Sequence, residues 1–114
     1  MALTNKRGLS VHISLFIAPE NVPKFFEAFK PVFEKTVAEP ECLFIEAYQA
    51  SDDPGHIRLV ENWDASVEFL QVLPSGRDEF KEYFAFIETL FVKPRRIEVF
   101  NPRYSLEGFY AAQE

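Results

Sequence analysis

Apolar and polar residues alternate from Val11 to Ile17. Val11, Ile13, Leu15 and Ile17 fall on one side and His12, Ser14 and Phe16 on the other, which predicts a half-buried strand. Ala18-Pro19-Glu20-Asn21 breaks the alternation, and Asn21 offers an N-cap with Pro23 tolerated in the first turn. Then the period changes. Phe25, Phe29, Val32, Phe33 and Val37 recur at helical spacing, predicting a helix from Val22 to about Ala38. Pro31 removes one backbone bond within it and is expected to kink it near Glu27 to Lys30. Glu39-Pro40-Glu41 ends the segment.

Cys42 to Ala50 predicts a second strand, with Leu43, Ile45 and Ala47 on one face and Phe44, Glu46 and Tyr48 on the other. Ser51-Asp52-Asp53-Pro54-Gly55 has turn composition, so the strand predicted from His56 to Trp63 returns antiparallel to it. Ile57, Leu59, Glu61 and Trp63 share a face there, which sets a carboxylate among apolar neighbours. A second helical region starts with Asp64 or Ser66 as cap, is interrupted at Leu73-Pro74-Ser75-Gly76, and resumes from Arg77 to Phe91. Phe80, Phe84, Ile87 and Phe91 form its buried stripe, beside Tyr83 and Leu90. Lys93-Pro94 is expected to stop it, and Arg95 to Phe100 reads as a fourth strand closed by Asn101-Pro102.

The resulting order, β-α-β-β-α-β, predicts an α+β, ferredoxin-like domain: a four-stranded antiparallel sheet with both helices on one face. Residues 1–8 are expected to form a polar, flexible lead, residues 9–102 the domain, and residues 103–114 a tail. With Tyr104, Leu106, Phe109 and Tyr110, that tail is expected to lie on its own domain or on a partner. Phe16, Phe44, Tyr48 and Phe100 belong to the sheet face away from the helices. Aromatics there imply a covered second face and a homodimer built sheet to sheet.

Composition narrows the function. At 114 residues the chain fits one domain, and 47% apolar residues with 13 phenylalanines exceed what a two-layer core strictly needs, so part of the Phe lines a pocket or a subunit contact, the alternative being a Phe-rich core. The net charge of −6 argues against nucleic-acid binding, which requires a basic stripe. The start of the chain lacks the apolar run of a secretory signal, and no stretch is long enough to span a bilayer. The single cysteine, Cys42, allows no internal disulfide and suits the cytoplasm. The two histidines and one cysteine are scattered without metal-ligand spacing. No G-x-G phosphate loop occurs, and no serine sits in a nucleophile elbow.

From Val11 to Pro102 the chain resembles the antibiotic biosynthesis monooxygenase family of the dimeric α/β-barrel superfamily. Three segments in order carry the resemblance: Val11-His12-Ile13 with Pro19-Glu20 and the first helix; Glu39-Pro40-Glu41-Cys42 leading to Glu46-Ala47-Tyr48; and Asp52-Asp53-Pro54 followed by Glu61-Asn62-Trp63. The resemblance implies a pocket between sheet and helices in each subunit. Its members include monooxygenases that oxidise aromatic polyketides without flavin, metal or haem, haem-degrading enzymes, and isomerases. Many members place a histidine where this chain has Val72-Leu73, and its absence here weakens any carry-over of haem degradation.

Trp63 matches the family's Glu-x-Trp and can stack on an aromatic substrate or fill the core. Glu61, on the same face, is a candidate base for a phenol or enol proton, because an apolar setting raises a carboxyl pKa. The competing account pairs it with Arg58, Arg95 or Arg96, or makes it a helix cap. His12 is a second candidate base, with a hydrogen-bonded structural role as the alternative. His56, after its Pro-Gly turn, is expected to face solvent. Tyr48 and Tyr83 are candidate hydroxyl donors to substrate, and Phe84 a candidate wall. Three functions follow: a cofactor-independent monooxygenase acting on a small hydrophobic, aromatic or polyketide-like molecule; an isomerase or tautomerase using the same proton chemistry; or a non-catalytic binding or stress-related dimer. Convergence of Glu61 and His12 on one cavity separates the first two from the third.

Overall fold

A computed structural model of the chain describes residues 8–66, 68, 78–105 and 108–109. The first alternating segment forms β1 (Leu9–Ile17), followed by a 3₁₀ turn at Pro19–Asn21 and helix α1 (Val22–Val37). Asn21 stands at the helix start, but its side chain makes no cap bond. The 3₁₀ turn supplies the entry instead, through the Asn21 N–H to the Ala18 carbonyl at 2.8 Å. Pro31 lies inside α1 without ending it. Pro31 and Glu27, whose carbonyl loses its intrahelical donor, are both exposed, so water can satisfy that carbonyl.

β2 (Cys42–Ala50) and β3 (Asp53–Trp63) form the expected hairpin, although β3 begins at Asp53 rather than His56. Pairing jumps from Gln49↔Ile57 to Ala50↔Asp53. Pro54 falls in that irregularity, where its missing N–H removes no ladder bond, and its carbonyl accepts Gln49 Nε2 at 2.7 Å.

The larger departure concerns α2 (Asp78–Glu88), which ends before Phe91. Thr89 donates both its N–H (3.0 Å) and its hydroxyl (2.6 Å) to the Phe86 carbonyl, while Leu90 N–H bonds to Ile87, closing the last turn. Phe91 therefore opens β4 (Phe91–Phe100), opposite Ile17, instead of extending the helical stripe. Pro94 sits inside this strand rather than before it. Pairing passes from Ser14↔Arg96 to Phe16↔Lys93, so Pro94 occupies a bulge on an edge strand, one of the few sheet positions that tolerate proline. The tail contributes a small pair, β5 (Tyr104–Ser105) with β6 (Gly108–Phe109). The interruption expected at Leu73–Gly76, and Val72-Leu73, lie outside the described residues.

The strand order β2-β3-β1-β4, antiparallel throughout, gives the ferredoxin-like α+β fold. Leu15, Ile17, Ile57 and Leu59 from one sheet face meet Phe25 and Phe29 of α1 and Tyr83 and Ile87 of α2. Phe25 and Ile57 are completely excluded from solvent (0% exposed). Burying a side chain of this kind contributes roughly 1.5–3 kcal/mol. No helix among the described residues is long and apolar enough to cross a membrane.

Candidate functional site

Because side chains alternate along a strand, β3 distributes its residues between two separate environments. Glu61 pairs with Val11 of β1 and Ile45 of β2, which places it on the helix-facing side with Ile57, Leu59 and Trp63. Trp63 is buried, and its indole Nε1 donates to Glu61 Oε1 at 3.0 Å. Among the described residues Glu61 has no other hydrogen bond and no ion pair. Arg95 makes no ion pair with Glu61, and the pairings expected with Arg58 and Arg96 fail for a geometric reason. Arg58 and Arg96 flank Ser14 on the opposite face, and Arg58 Nη2 reaches Ser14 Oγ at 3.4 Å.

Desolvation pushes the Glu61 pKa up, and the Trp63 N–H partly counters it. Tyr83, from α2, lies within electrostatic reach. Burial raises its hydroxyl pKa, the Glu61 charge raises it further, and Arg95 offsets part of the rise, so the phenol stays a donor. Phe84 packs edge-on against Tyr83 with ring centroids 5.1 Å apart. Cys42, opposite Trp63 in the ladder, is not singled out by the sequence pattern. Burial raises its thiol pKa, the Phe44 carbonyl contact lowers it, and Glu61 and Glu39 raise it again, which leaves a neutral thiol rather than a nucleophile. Counting the hairpin register from the Ser51-Asp52 turn sets Cys42 against Glu61; the irregularities between Gln49 and Ala50 and between Cys42 and Phe44, which sequence does not announce, bring it to Trp63 instead.

Glu61, Trp63, Tyr83 and Phe84 thus belong to the helix side. Next to them, Phe26, Phe29 and Phe33 of α1 and Ile45 and Ala47 of β2 border an open cavity of about 330 Å³, with Lys30 and Glu46 at its edge. Ile45 joins the two regions, being the cross-strand neighbour of Glu61. Phe26 and Lys30 escape the sequence reading because the helical stripe runs through Phe25, Phe29 and Phe33.

His12 and Tyr48 are elsewhere. His12 pairs with Val60 and Glu98 on the face away from the helices, where its Nε2 lies 2.9 Å from Ser10 Oγ and its ring meets the edge of Phe100 at 4.7 Å. Tyr48, opposite Arg58, is exposed on that same face. The sheet therefore stands between His12 and Glu61, and the two candidate bases do not converge. His56 does not simply face solvent: it is half-buried and stacks on Phe16 at 4.9 Å, with Lys93 Nζ 4.3 Å from the same ring. No cluster of three or more His, Cys, Asp or Glu suited to a metal occurs among the described residues.

Comparison with known proteins bears on this arrangement. Residues 8–85 match the antibiotic biosynthesis monooxygenase family. A Pestalotiopsis microspora protein with a provisional monooxygenase name is 31% identical over 101 residues, spanning 89% of this chain and 84% of its own. A solved structure named as an antibiotic biosynthesis monooxygenase superposes with a TM-score of 0.72 at 24% identity, over 81% of this chain and 95% of that one. A Mycobacterium tuberculosis protein gives a TM-score of 0.74 at 20% identity, over 87% and 98% of the two chains. The two structural likenesses speak to the fold alone.

Proposed function

Because the chain belongs to the antibiotic biosynthesis monooxygenase family, we propose that it is a cofactor-independent monooxygenase for a small hydrophobic, aromatic or polyketide-like molecule held between the helices and the sheet. One observation carries the reading: Glu61 is a desolvated carboxylate with no ion pair among the described residues, held by the indole of a buried tryptophan and paired across the ladder with Ile45, which borders the aromatic groove.

In this reading Glu61 takes a proton from an activated CH₂ group of an electron-rich phenol or enol. The carbanion passes an electron to O₂, and the radical pair combines into a hydroperoxide. Loss of water then leaves a carbonyl, so CH₂ plus O₂ becomes C=O plus H₂O and no external reductant is consumed. Tyr83 offers an O–H to the developing oxyanion, and the aromatic side chains exclude water. His12 and Tyr48 occupy the other face and take no part in proton abstraction here; the failure of Glu61 and His12 to converge favours the non-catalytic dimer, so the oxygenase reading rests on family membership and Glu61 alone.

The homodimer belongs to the same proposal. The open face carries cross-strand rows: Glu46, Val60, His12 and Glu98 form an acidic one, and Tyr48, Arg58, Ser14 and Arg96 a basic one. A two-fold axis running across the strands between these rows sets the acid row of one copy on the basic row of the other, with exposed Phe44 and Phe100 contributing apolar area. A single cysteine suits a reducing compartment such as the cytoplasm.

Oxygen uptake with hydroxylated polycyclic aromatics tests the chemistry. Glu61→Gln is expected to lower kcat by about 10²-fold or more, the usual worth of a positioned base. Full activity in Glu61→Gln refutes the assignment. Substrate conversion without oxygen uptake redirects it to an isomerase, and binding without conversion to a non-catalytic dimer.

A further inference from the structure

We infer that the open groove between α1 and β2 is a binding subsite for an anionic aromatic molecule, with Lys30 reading its acidic group. Phe26, Phe29, Phe33, Ile45 and Ala47 supply an apolar, mostly aromatic lining around about 330 Å³. That composition and size fit the lower end of small-molecule sites, where a few polar groups decide orientation. Among the described residues two charged ones border the groove, Lys30 and Glu46, and they differ in where their charges lie. Glu46 touches its edge, but alternation along β2 sets its side chain on the other face, in the row of Val60 and His12.

Lys30 is different. It lies four residues after Phe26 and three before Phe33, so it shares a helix face with the two rings that border the groove. No hydrogen bond, ion pair or ring contact engages its ammonium among the described residues. The acids nearest along the exposed side of α1, Glu27 and Glu34, make no ion pair with it. An uncommitted cation over an apolar floor, in a chain of net charge −6, favours a ligand that joins an aromatic body to a carboxylate, sulfonate or phenolate. Ile45 is shared with the Glu61 neighbourhood, so a ligand seated here lies beside that carboxylate without needing it for affinity.

Two fluorescent probes test the subsite on the full chain: 8-anilinonaphthalene-1-sulfonate, which is anionic, and N-phenyl-1-naphthylamine, its neutral counterpart. Lys30→Gln is expected to raise the Kd of the anionic probe about 5- to 20-fold and that of the neutral probe by less than about twofold, the range of one ion pair near a protein surface. Ala47→Phe, which fills the groove, is expected to weaken both, with far-UV circular dichroism confirming the fold. Unchanged anionic affinity in Lys30→Gln, or unchanged affinity of both probes in folded Ala47→Phe, overturns the inference. Glu61→Gln should weaken neither probe, since it removes only a neighbouring negative charge, so failure of the oxygenase reading and failure of this one are distinguishable.

Discussion

Replacing Trp63 by Phe removes one hydrogen bond and keeps an aromatic ring in the same place. The bond joins Nε1 to Glu61 Oε1 at 3.0 Å, and Trp63 is only 4% exposed, so water does not readily substitute for the lost donor. A hydrogen bond to a charged group is worth about 1.5–3 kcal/mol. Loss of the five-membered ring adds about 1 kcal/mol of unfilled space. The expected cost is therefore about 2.5–4 kcal/mol where Glu61 is ionised. For a domain of this size that lowers Tm by roughly 8 °C or more. Urea denaturation should be followed by far-UV circular dichroism, since the variant loses the only tryptophan.

The same substitution in a Glu61→Leu background isolates the bond. There the cost should fall to the packing share, about 1 kcal/mol, giving a coupling of about 1.5–3 kcal/mol. Below the pH at which Glu61 titrates, the neutral acid loses only a neutral bond, worth about 0.5–1.5 kcal/mol. Equal losses in both backgrounds would mean that Trp63 acts by packing alone and does not hold the carboxylate.

Glu61→Gln probes the charge itself. The folded pKa of Glu61 is raised above the reference value of 4.5, so stability falls as pH rises from that value through the folded pKa and stays reduced above it. Gln keeps an acceptor for Trp63 without the charge, so its melting advantage should appear at neutral pH and vanish below 4.5, growing by about 1.4 kcal/mol for each pH unit that separates the folded pKa from that of the unfolded chain; an equal advantage at both ends contradicts the desolvation argument. At Gly55 an added Cβ would run into the Ile17 carbonyl, so Gly55→Ala should cost at least about 1–3 kcal/mol in urea melts, and a neutral result would mean that β1 and β3 can separate there. Phe25→Ala in the fully buried core should cost about 3–5 kcal/mol by the same assay.

Periodicity makes most of the fold legible because β1, α1 and β2 each keep a single period between clear breaks. It misplaces the start of β4 for a physical reason. Phe91 continues the stripe of Phe80, Phe84 and Ile87 in sequence, and nothing in that pattern reveals that Thr89 closes the helix on the Phe86 carbonyl. Pro94 reads as a barrier because a bulge on an edge strand, which accommodates it, depends on strand order and not on local sequence. At the site, Glu61 and Trp63 are legible together because they lie two residues apart on one strand. His12 joins them on chemistry alone, although its own alternation already sets it opposite Val11 and Ile13.

That opposition has an energetic consequence for the open face. Among the described residues, the buried side-chain atoms without a protein partner are His56 Nε2, Arg58 Nε and Asn62 Oδ1, and all three residues occupy the β3 positions facing away from the helices. Each such atom costs about 1–3 kcal/mol within the chain itself, while the accessible parts of these half-buried residues and the charged rows beside them form the polar surface that a second sheet would cover, stabilising the fold by association. Stability should then depend on protein concentration through mass action. Thermal melts across about a hundredfold dilution series, paired with mass from light scattering, test this: Tm should fall on dilution as the dimer dissociates. Arg96→Glu, which reverses one end of the basic row, should shift the equilibrium toward monomer and lower Tm mainly at high concentration. A concentration-independent Tm with a monomeric mass throughout would remove the proposed pairing of the rows and leave the open face as the exposed side of a single sheet.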